Sequence, residues 1–120
     1  MSHAGQAPST PWALLATANG ALAVAAGAFG AHAMDAPGAE LLETGARWQV
    51  ISALAGLIAA RMGARIPAAL HGVGGALFAA SLYALALGAP TPVAYLTPLG
   101  GLAMLAGWVA LGAGMVRARE

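Results

Sequence analysis

The chain contains no cysteine, no lysine and little charge of either sign. Charged residues make up 8% of its 120 positions, against about 25% in an ordinary soluble domain. Without cysteine there are no disulfides, thiolate metal sites or cysteine nucleophiles. The basic residues are Arg47, Arg61, Arg65, Arg117 and Arg119. None belongs to a cluster of the ~4–8 basic residues that marks an anionic-lipid or nucleic-acid surface, and a net charge of +1 makes no general electrostatic case for nucleic acid. From Ile66 to Val116 there is no Asp, Glu, Lys or Arg, and His71 is the one side chain there that titrates near neutral pH. What the sequence does have is apolar surface: 60% hydrophobic residues and a mean hydropathy of +0.78. A small soluble fold leaves too much of itself wet to hide such a stretch. Two membrane-spanning helices joined by a short outer turn explain it.

The chain divides on this basis into an N-terminal tail, 1–11, a membrane domain, 12–116, and a C-terminal tail, 117–120. A span needs roughly 20 apolar residues. The pattern predicts spans over about 12–33, 46–63, 66–88 and 97–116, with a short interfacial helix over about 36–45. Pro11 suits the first turn of a helix behind Ser9 or Thr10, and Pro98 does so behind Thr97. Ala31-His32-Ala33 has the form of a leader-peptide cleavage site, yet the tail carries no Lys or Arg and the apolar run exceeds the usual ~7–15 residues, so the segment is read as a span. Asp35, Glu40, Glu43 and Arg47 make 35–47 the most polar segment, and Glu43 and Arg47 stand four apart as a helical ion pair. The span over 46–63 is the shortest, reaching length only if Arg47 and Arg61 snorkel outward. The fold class expected is thus all-α integral membrane, a four-transmembrane-helix bundle with an interfacial helix between helices 1 and 2. Small residues on the helix faces, Gly20, Gly27, Gly30, Gly75, Ala79, Gly100, Gly101 and Gly107, are the expected packing positions.

Four spans put the tails and the Gly63 turn on one side, together with Arg61, Arg65, Arg117 and Arg119. Arg47 lies on the other, beside three acids. The positive-inside rule then places both termini in the cytoplasm of a bacterial inner membrane protein.

An ordered series of motifs follows the spans. Gly27-Ala28-Phe29-Gly30-Ala31-His32 closes the first, and Glu43-Thr44-Gly45-Ala46-Arg47-Trp48-Gln49 opens the second. Ser81-Leu82-Tyr83 lies in the third, and Thr97-Pro98-Leu99-Gly100-Gly101 starts the fourth, ahead of Gly107-Trp108. Over about residues 12–114 this series resembles the family known as domain of unknown function 423, which takes in YgdD-type inner-membrane proteins and transmembrane protein 256. The resemblance implies a four-helix membrane protein and no established activity. One position departs: the family pattern resembles an aromatic-Gln pair followed three residues after the Gln by His, and here Ser52 takes that place.

His32, Arg47, Trp48, Gln49, Tyr83 and Thr97 all fall toward the outer end of their predicted helices. They form a candidate polar pocket at the outer membrane boundary. The competing reading is that helix caps and interfaces favour these residue types anyway. His32 and His71 would stand roughly 20 Å apart across a ~30 Å core, so a haem or metal shared between them is not expected, and no cofactor is implied. Asn19, Gln49 and Ser52 need hydrogen-bond partners in hydrocarbon. No hydrolase elbow, phosphate loop or paired-carboxylate site is present, and no acid or base lies deep in a span as in ion-coupled transporters. The sequence therefore predicts no catalytic residue. It suggests a non-enzymatic membrane protein acting through helix-packing partners, as a homo-oligomer or a subunit of a larger membrane complex. The alternative is a lipid or small-molecule carrier using the outer pocket.

Overall fold

The computed structural model describes residues 7–119, all of them in helices or short connections. Four long helices run in order: α1 Thr10–Ala33, α2 Gly38–Arg61, α3 Arg65–Ala86 and α4 Leu96–Ala118. The fold is 52 Å along its longest axis and 24 by 18 Å across. Three helical stretches, Thr10–Ala33, Arg65–Ala86 and Thr91–Ala118, are long and apolar enough to cross a membrane. The 24 residues of α2 match α1 in length, but Glu40, Glu43, Arg47 and Arg61 dilute its hydropathy.

Local chemistry sets the ends. Pro11 occupies the first turn of α1 behind Ser9, although the Ser9 side chain makes no capping bond. Glu40 sits in the first turn of α2, where its charge complements the positive end of the helix. α2 and α3 both finish in a left-handed glycine, Gly63 at φ 74 and Gly88 at φ 101. The following residue then reaches back across the turn, Ala64 N–H to Ala59 O at 2.8 Å and Ala89 N–H to Ala84 O at 2.9 Å. These bonds satisfy carbonyls that the helix end would otherwise orphan.

Three sequence expectations change here. The interfacial helix over 36–45 and the span beginning at 46 are one uninterrupted helix, α2. Its inward stripe of Leu42, Gly45, Gln49, Ser52, Gly56 and Ala59 is buried throughout, spaced alternately three and four apart, so one face packs inward without a break. The expected loop before the fourth span contains a 3-10 turn, Thr91–Tyr95, that feeds directly into α4 at Leu96, with Tyr95 rather than Thr97 as cap. The tail reading of 1–11 lies partly outside the described residues. Within them, Ser9 is buried and its N–H donates to Ala60 O at 2.8 Å, which docks the start of α1 on the end of α2.

Each helix packs antiparallel on the next in the chain. α3 also touches α1, whereas α2 and α4 barely meet and α1 and α4 share no packed seam. The four form an open layer with α2 and α3 at its centre, each burying more of its residues than α1 or α4. Inside are small and polar residues: Ala59, Ala60 and Ala79 are fully buried, as is His71. Outside are large apolar ones, among them Leu14, Leu22, Leu54, Ile58, Leu102 and Val109. This is the reverse of a soluble protein and fits hydrocarbon as solvent, where small side chains let backbones approach.

Candidate functional site

The interior holds two polar clusters at the middle depth of the layer. The first joins three helices. Asn19 on α1 donates from Nδ2 to Gly72 O on α3 at 3.1 Å. Gln49 on α2 donates from Nε2 to Asn19 Oδ1 at 2.8 Å. Tyr83 on α3 donates to Gln49 Oε1 at 2.7 Å. Gly45 makes room for the tyrosine, since a Cβ there would lie 2.7 Å from its ring. Because α2 starts at Gly38, Gln49 is the twelfth of its 24 residues, well away from either end of the helix.

The second cluster centres on His71. Its ring is sealed from solvent. Nδ1 stands 3.2 Å from Ser52 Oγ. The Trp108 indole meets the ring edge-on, centroids 5.0 Å apart at 80°. Nε2 has no partner and is the one buried side-chain nitrogen or oxygen in that position among the described residues. Gly107 permits the arrangement, because a Cβ there would fall 2.9 Å from Nε2 and 2.8 Å from Cδ2.

The six residues of the expected boundary pocket are thus dispersed. Gln49 and Tyr83 are bonded to each other inside. Thr97 meets Ser81 Oγ, whose own hydrogen goes to Phe78 O. Arg47 pairs with Glu43 at 3.1 Å, both side chains being more than half exposed. His32 is exposed at the end of α1, and Trp48 is 44% exposed on the outer face of α2. Asn19 and His71 belong to the clusters and were not among the six. Their signal was in the sequence, as an amide mid-span and the lone titratable side chain between Ile66 and Val116. Among the described residues no group of three or more His, Asp or Glu is placed to hold a metal ion.

The small residues differ in how tightly they sit. A Cβ on Gly100 would lie 2.5 Å from Phe78 N and 2.7 Å from Gly74 O, so α3 and α4 touch backbone to backbone. Gly75 abuts Ser52, with 2.7 Å from its would-be Cβ, and Gly30 abuts Leu42, with 2.9 Å. Gly27 and Gly20 face Ala46 and Ala53 at ordinary distances, 3.6 and 3.9 Å, and Gly101 faces Phe78 at 3.8 Å. Ala79 is wholly buried.

Apolar helices turned inside-out, with polar side chains spent on one another, define a small α-helical membrane protein. The sequence profile described as "Protein of unknown function (DUF423)" matches residues 26–101, and the chain belongs to this family of uncharacterised membrane proteins. The "UPF0382 inner membrane protein YgdD" of Escherichia coli K12 is 36% identical over 118 residues, covering 89% of this chain and 90% of that protein. The protein of the same name in Shigella flexneri is equally similar. The "UPF0382 membrane protein" of Haemophilus influenzae is 32% identical over 116 residues, covering 88% of this chain and 94% of the relative. No solved structure matches the chain.

Proposed function

We propose that the chain is a four-pass inner-membrane protein, with both termini in the cytoplasm, that acts by helix association and not by catalysis. The fourth pass is α2. It lies antiparallel between α1 and α3, both apolar enough to span, and its outward residues between Arg47 and Arg61, including Leu54 and Ile58, are apolar. That interval is ~21 Å of helix, and snorkelling arginines at both ends extend it. Arg61, Arg65 and Arg117 gather at the end where α2 stops and α3 starts, which supports a cytoplasmic placement for that end. Cysteine-accessibility labelling tests the topology. Cysteines introduced at Ala64 and Ala118 should be shielded from a membrane-impermeant reagent in intact cells, and one at Asp35 should react.

The observation that carries the association reading is the open layer. The spans of α1 and α4 bury only 22% of their residues within the chain, against 44% for α3, and these two outer helices do not close on each other. Most of the polar groups inside are bonded to one another, His71 Nε2 being the exception among the described residues. Native mass spectrometry of protein extracted from its own membrane, with in-membrane crosslinking from the outer faces of α1 and α4, should return a homo-oligomer or a defined membrane-protein complex. A lone monomer by both methods defeats the reading. One groove favours lipid binding as a second reading. It spans ≈ 270 Å³ between α1 and α2, floored by Ala23, Gly27 and Ala46, with Glu43 and Arg47 at its rim. A lipid retained in the same spectra and lost in Arg47→Ala would support that role.

A further inference from the structure

A second crevice, ≈ 170 Å³, separates α2 from α4 at the depth of the His71 cluster. Trp48 and Ser52 line it from α2, and Gly101, Met104 and Trp108 from α4. Because these helices barely meet, the crevice opens sideways into hydrocarbon. Ser52 and Trp108 are shared, since both line the crevice and both touch the His71 ring.

Whichever way the Ser52–His71 bond runs, the pair leaves one donor without a partner among the described residues. If Ser52 donated to Nδ1, the ring proton would sit on Nε2 as a buried N–H with no acceptor. Gly107 closes off that side of the ring, so nothing could take up such an N–H. In the reverse tautomer Nδ1–H donates to Ser52 Oγ and Nε2 turns a lone pair to Gly107, and of the two arrangements only this one frees a donor that a molecule in the crevice could reach. The hydroxyl hydrogen of Ser52 is then without an acceptor, because among the described residues Ser52 Oγ bonds to His71 alone. A buried hydroxyl in an apolar setting calls for a partner, and the space it borders is the crevice.

We infer that the crevice binds the head group of a quinone-type molecule dissolved in the membrane, a flat six-membered ring that rests against the Trp48 and Trp108 indoles and accepts a hydrogen bond from Ser52 through a ring carbonyl. The size fits, since a dry protein cavity of about 150 Å³ takes up benzene. The depth fits as well. Ser52 lies five residues from Arg47 and nine from Arg61, ~8 and ~14 Å along the helix, whereas phospholipid ester carbonyls stay at the headgroup boundary. The inference goes beyond the association reading but rests on the proposed passage of α2 through the bilayer, which the cysteine labelling tests separately.

The test uses full-length Trp12→Phe protein in phosphatidylcholine nanodiscs, so that the remaining indoles are Trp48 and Trp108. Decylubiquinone should quench their fluorescence saturably. Ser52→Ala, and separately Gly101→Leu, which fills the crevice and leaves Ser52 and His71 in place, should each raise the half-saturation about ten-fold, as expected for losing one buried hydrogen bond or the site's volume. Decylbenzene, a six-membered ring on the same tail but without the oxygens, should not compete. Quenching that climbs linearly and equally in all three proteins would overturn the site. Competition by decylbenzene, or a response to Gly101→Leu with none to Ser52→Ala, would overturn the carbonyl recognition.

Discussion

The two seams of α3 are built differently. Toward α1 and α2 it is stitched by side chains: Asn19, Gln49 and Tyr83 in one cluster, Ser52 and His71 in the other. Toward α4 it is fitted by shape. Gly100 rests on the backbone of Gly74 and Phe78, and Gly107 on the His71 ring, with one hydroxyl pair, Ser81 and Thr97, near the start of α4. In lipid the hydrophobic effect does not draw helices together, so a seam relies on hydrogen bonds or on close van der Waals contact. Bonds tolerate small shifts, while backbone contact tolerates no added atom. The first seam is therefore expected to be forgiving and the second brittle.

Substitutions sharpen or break that contrast. Gly100→Ala should be the most harmful, about 3 kcal/mol at the upper end of overpacking costs, because backbone atoms of α3 cannot step aside. Unfolding by SDS in mixed micelles measures it, and a loss below that of Gln49→Leu would erase the distinction between seams. Gln49→Leu should cost about 1–2 kcal/mol, since it strands Asn19 Oδ1 and the Tyr83 hydroxyl. A double-mutant cycle with Tyr83→Phe should return a coupling of about 0.6 kcal/mol. Gly112→Ala should run the other way. Nothing lies within 4 Å of a Cβ there, so the gain in helix propensity should stabilise the protein by about 0.5–1 kcal/mol. Arg47→Ala should change stability least, by about 0.5 kcal/mol or less, because its ion pair with Glu43 is exposed; the same titration under matched salt would reveal a larger value.

Much of the fold was written plainly in the sequence. The apolar runs, the prolines at Pro11 and Pro98 and the glycine turn at Gly63 mark where the helices lie. The continuity of α2 was harder to see, because Glu40, Glu43 and Arg47 face outward at its start and imitate a surface segment. The stripe from Leu42 to Ala59 runs through both halves of that helix, and its even spacing carried the information. Reading α2 as two pieces also moved Gln49 to a helix end, and with it the focus of the supposed pocket. The true polar centre depends on which turns of three helices come level. Spacing along one helix does not contain that register; the contacts of Gly75 with Ser52 and of Gly107 with His71 set it.

The corner at Met62, Gly63 and Ala64 has a consequence for biogenesis. It ties the least apolar helix to one apolar enough to span by three residues and a fixed left-handed turn. A tether that short gives α2 nowhere to wait while α3 partitions into lipid. If α2 crosses the bilayer as proposed, the two are expected to enter together as a hairpin, with the polar stripe of α2 facing its neighbour.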